Sequence, residues 1–68
     1  MKTTIKDIKA QAQAIHDRGA RGKEAWTRLY IYLGQFSNVD EVWGELAVYI
    51  RGQWRPIYNI VESDFFYQ

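Results

Sequence analysis

The chain has no cysteine, one proline, one histidine and one methionine among its 68 residues. Without cysteine there can be no disulfide, no thiolate metal site and no cysteine nucleophile. A single histidine, His16, rules out a multi-histidine metal cluster. Long apolar runs are also missing. No run exceeds five residues, the length of residues 46–50, which is far short of the roughly 18 residues that a membrane helix needs. The first residues, MKTTIKDIKAQAQ, carry no apolar stretch of the signal-peptide kind, so the expected location is the cytoplasm and no membrane partner is expected. Strong net charge is absent too, since the formal balance is +1. Neither an acidic nucleic-acid mimic nor a strongly basic non-specific binder fits that balance.

Sixty-eight residues support one small domain, residues 1–68, whose stability is marginal because so short a chain buries only about 60% of the surface it exposes when unfolded. Charge is uneven along it. Residues 1–30 carry seven basic and three acidic groups, and residues 31–68 carry two basic and five acidic ones. Aromatic rings are abundant, at eleven of 68 residues. Each can bury about 150–250 Å², more in sum than a miniature core can readily hide.

The apolar spacing predicts a first helix over residues 4–18. Ile5, Ile8, Ala12 and Ile15 share a face, Thr3 or Thr4 caps the start, and Gly19 suits the position just past the end. A second helix is predicted over residues 23–36, with Trp26, Leu29, Tyr30, Leu33 and Phe36 as its stripe. Beyond it the pattern allows two readings. In the favoured one, Asn38 caps a short third helix near residues 39–43. Two runs rich in β-branched and aromatic residues, 46–50 and 57–61, then pair across a loop at 51–56. That is an α+β fold of two or three short helices and a C-terminal two-stranded antiparallel hairpin, with Pro56 forcing the second strand to an edge. The alternative is an all-α bundle of three or four helices. There Val39, Val42, Trp43, Leu46 and Ile50 form one stripe, and Pro56 starts a last helix with Ile57, Ile60, Val61 and Phe65 inward.

Catalysis finds little support. His16 has no nucleophile or carboxylate facing it on its own helix, since its neighbour Asp17 points elsewhere. Asp40, Glu41 and Glu45 read as solvated charge rather than a cation site. No nucleotide loop or paired-acid pattern is present, no cofactor is expected, and a chain this size has little room for a closed pocket of about 300 Å³. The expected class is therefore non-enzymatic.

Two surfaces remain as candidates. One is an aromatic and arginine surface for another protein, made of Tyr49, Arg51, Trp54, Arg55, Tyr58, Phe66 and Tyr67. Tyr, Trp and Arg supply the large, low-entropy contacts that dominate protein interfaces. A second copy of the chain, giving a homodimer, would serve the same surface. The alternative is a small regulator bound to nucleic acid or another anion through Arg18, Arg21 and Lys23 at the interhelix junction, with Arg51 at the hairpin tip. A helix-turn-helix reading fails because the segment from Val39 carries Asp40, Glu41 and Glu45, which phosphates repel. In size and in its lack of catalytic groups, the chain resembles the small accessory proteins of phages and plasmids that block host defence machinery, anti-CRISPR proteins among them. That likeness of class implies an adaptor or inhibitor.

Overall fold

A computed structural model describes residues 1–61. The element order is α1 (Ile5–Asp17), α2 (Gly22–Leu33), β1 (Val39–Val42), β2 (Glu45–Ile50), β3 (Gln53–Pro56) and α3 (Ile57–Ile60). The fold is α+β.

Helix α1 begins where the sequence places it. The Thr4 hydroxyl accepts the Asp7 amide at 3.2 Å, and Asp7 adds a carboxylate to the first turn, where the helix dipole favours it. Past the C-cap Arg18, Gly19 takes φ +91°, which a residue with a Cβ adopts only with strain. Ile8, Ala12 and Ile15 are buried. Helix α2 is shorter than its apolar pattern suggests, ending at Leu33 with Gly34 as cap, so Phe36 lies outside it. Its buried stripe is Ala25, Leu29 and Leu33, at steps of four. Trp26 and Phe36 only flank the core, and Tyr30 faces solvent.

The segment after α2 departs most from expectation. Residues 39–43 do not form a third helix. Val39–Val42 is strand β1, so the sheet has three antiparallel strands in the order β1-β2-β3 rather than two. The helical stripe through residues 39–51 is overturned with it. The second strand is Gln53–Pro56, not residues 57–61, which supply the single helical turn α3 instead. Pro56 caps that turn, as the all-helical alternative expects, but the helix stops at Ile60 with Val61 already extended, and Phe65 lies outside the described residues.

Both hairpins close through two-residue loops, Trp43-Gly44 and Arg51-Gly52, with all four φ angles between 51° and 79°. Two positive φ angles are what a type I′ turn requires, and its twist matches that of the strands. Pro56 ends the edge strand β3, opposite Ala47, where its missing N–H does no harm.

The pleat sorts β2 into two faces. Leu46, Val48 and Ile50 face the helices; Val48 is fully buried, and the other two pack against the core with Val39. Among the described residues, Ile8, Leu29, Leu33, Ile57 and Val48 are the largest fully buried side chains, all of them aliphatic.

The polar side chain of Asn38 is buried beside this core and does not cap a helix. Its Oδ1 accepts the Thr3 amide at 2.9 Å. Its Nδ2 donates to the Thr3 carbonyl at 3.0 Å and to the Tyr49 carbonyl at 3.3 Å. The Ser37 amide donates to the Met1 carbonyl at 2.7 Å. The first three residues are thereby clasped to the junction between α2 and the sheet.

Candidate functional site

None of the eight aromatic residues among residues 1–61 is fully buried. Among the described residues, the fully buried core is aliphatic, and seven of the eight rings meet in pairs or clusters around it.

The outward face of the sheet holds one pair. Tyr49 on β2 lies directly opposite Trp54 on β3, and their rings meet edge to face with centroids 5.1 Å apart. Such a cross-strand aromatic pair stabilises the sheet and holds both rings in fixed positions. Tyr49 is 46% exposed and Trp54 half-buried. By the alternation of the strands, Val42, Ala47 and Pro56 share this face, with Asp40 and Glu45 as its charged members. Ala47 is buried yet lies outside the core cluster.

The remaining candidates for protein contact do not all join Tyr49 and Trp54. Arg51 sits in the β2–β3 turn and is exposed. Arg55 is exposed but follows Trp54 directly, so the pleat sends it to the opposite face. Tyr58 belongs to a second cluster on the helical side. It stacks on Trp26 with centroids 6.5 Å apart and planes 17° from parallel, and Trp26 meets Tyr30 edge-on at 6.0 Å. Phe66 and Tyr67 lie outside the described residues.

At the α1–α2 junction, Arg18 and Lys23 are exposed. Arg21 has a different task. Its guanidinium donates to the His16 carbonyl, which also accepts the Gly19 amide, at 2.7 Å and to the Ala20 carbonyl at 2.8 Å, tying the junction to the end of α1. Those bonds draw one of the three junction cations towards the chain's own backbone. Arg28, further along α2, pairs with Glu24 at 2.9 Å.

Two features went unnoticed in the sequence. One is Trp43, which stands at the tip of the β1–β2 hairpin and is 85% exposed. Its signal was the Trp-Gly dipeptide between two strands, masked because Asn or Asp normally precedes glycine in such turns. The other is a groove of about 340 Å³ between α1 and α2, lined by Gln11, Ile15, Arg18, Arg28, Ile31 and Tyr32.

Among the described residues, no helix is long and apolar enough to cross a membrane. Comparison with known proteins brings no match, whether to a family model, a curated sequence or a solved structure.

Proposed function

We propose that the chain is a non-enzymatic protein-binding module, an adaptor or inhibitor, which docks through the outward face of its sheet. The observation that carries this reading is the Tyr49–Trp54 pair. It is an aromatic couple held at 5.1 Å by cross-strand pairing, with Tyr49 46% exposed, while among the described residues the fully buried core side chains are aliphatic and Trp26, Tyr32 and Phe36 only pack against them. Rings that already sit in fixed positions lose little entropy on binding. Tyr and Trp are also the residues that most often dominate interface energetics. Arg51 in the adjacent turn adds a cation able to make charge-assisted hydrogen bonds to a partner carboxylate.

The test is affinity capture from an extract of the source cells, with wild-type chain and the variants Tyr49→Thr and Trp54→Thr as bait. Threonine keeps the strand propensity while removing the ring. A protein partner held by the wild type should be lost from both variants while their near-ultraviolet spectra still report a folded chain. Retention of every partner by both variants would end the proposal. So would recovery of nucleic acid alone, released steeply by salt.

A further inference from the structure

Among the described residues and apart from Met1, the two most exposed large apolar side chains are Trp43 at 85% and Ile31 at 75%. They occupy different surfaces, and each has what the other lacks. Ile31 lies in the groove between α1 and α2, with Ile15 and Tyr32 beside it and the guanidinium-bearing Arg18 and Arg28 among its walls. Arg28 shares its charge with Glu24, whereas the α1–α2 half as a whole remains cationic, with seven basic against three acidic groups over residues 1–30. Trp43 is the tip of a hairpin that carries Asp40, Glu41 and Glu45 and no cation from β1 to the end of β2.

The backbone at Trp43 adds an independent reason to look for a contact. Its φ is +54°, in the left-handed region where asparagine, aspartate or glycine is favoured. A bulky ring there strains the turn and, at 85% exposure, adds little to the core. A strained position without a folding benefit points to use of the side chain.

We propose that the chain associates head to tail with a second copy of itself: the Trp43 tip of one copy enters the α1–α2 groove of the next, and the carboxylates of the hairpin face Arg18 and Arg28. The contact uses two different surfaces, so it leaves one groove and one tip free and can continue into a ring or an open chain. One inserted indole buries about 150–250 Å², which places the affinity at the weak, micromolar-to-millimolar end. The proposal does not use the Tyr49 and Trp54 rings, although Asp40 and Glu45 lie on the same face of the sheet.

The test exploits the asymmetry of the contact. Trp43→Asn removes the ring and suits the left-handed turn, and Ile31→Glu places a carboxylate on an exposed helix position within the groove. Neither change touches the core. Sedimentation from about 10 µM to about 1 mM should show the wild-type mass rising at least twofold, and less so as salt shortens the Debye length from about 30 Å to about 3 Å. Each variant alone should stay monomeric. An equimolar mixture should form a one-to-one dimer and nothing larger, because only one intact tip and one intact groove remain per pair. A wild type that stays monomeric throughout overturns the proposal. So does salt-independent association, a single variant that associates like the wild type, or a mixture that fails to pair.

Discussion

Asn38→Ala removes the side chain that clasps residues 1–3 to the rest of the fold. Three hydrogen bonds go with it: Thr3 amide to Oδ1, and Nδ2 to the carbonyls of Thr3 and Tyr49. At about 1 kcal/mol net for each bond, the direct loss is about 3 kcal/mol. Thr3 is only 2% exposed, so its amide and carbonyl must either stay buried without partners or drag the first residues into solvent. The second route is cheaper and caps the cost at about 2–4 kcal/mol. A chain of 68 residues has about 3–10 kcal/mol in total, so the variant should stand near the edge of folding. Urea denaturation measures the loss. Hydrogen exchange locates it, since the Thr3 and Ser37 amides should lose protection before the amides of β2. Asn38→Asp keeps the acceptor but discards both donors and sets a negative charge against two carbonyl oxygens, so it should cost at least as much as alanine. A change below about 0.5 kcal/mol for Asn38→Ala would refute the reasoning, because it would mean that the clasp adds nothing to the fold.

The hairpin turns and the interhelix junction give two further tests. Arg51 sits at φ +51°, so Arg51→Asn should raise stability by about 0.5–1 kcal/mol in a thermal melt. Gly52→Ala should lower it by about 1–2 kcal/mol through φ +79° alone, since an added Cβ there would meet nothing closer than the Tyr49 hydroxyl at 4.0 Å. At the junction, Arg21→Ala should cost about 1 kcal/mol in urea denaturation by removing the guanidinium's bonds to the His16 and Ala20 carbonyls, of which His16 keeps the Gly19 amide, whereas Lys23→Ala should stay within about 0.5 kcal/mol.

The helices were legible because their signals are local and agree with one another. In α1, the Thr4 cap, the 3–4 spacing of Ile8, Ala12 and Ile15, and Gly19 all mark the same boundaries. The strand at 46–50 was legible from its β-branched and aromatic run, and it lies within β2. The strands beside it were hidden for identifiable reasons. Val39, Val42, Trp43, Leu46 and Ile50 happen to match helical spacing, although Val39, Leu46 and Ile50 reach the core from two strands that turn back on each other. Trp43-Gly44 and Arg51-Gly52 lack the Asn or Asp that usually announces a two-residue turn. Strand β3 reads Gln-Trp-Arg-Pro, which has weak strand propensity, and it forms because β2 offers it a template at the sheet's edge. For the candidate site, the sequence supplied the excess of rings but not their grouping. Tyr49 and Trp54 meet only because the Arg51-Gly52 turn sets their register, and Trp54 and Arg55 part company only through the pleat.

The clasp at Asn38 also bears on the order of events during folding. Thirty-five positions separate it from Thr3, whereas each hairpin closes over two residues. Loop-closure entropy for such a separation is about 3 kcal/mol, so turns and helices gain their contacts well before the N-terminal residues can dock. Those residues therefore arrive late and leave early. A protease that samples brief excursions of the native chain would meet this end first, with the sheet still intact behind it.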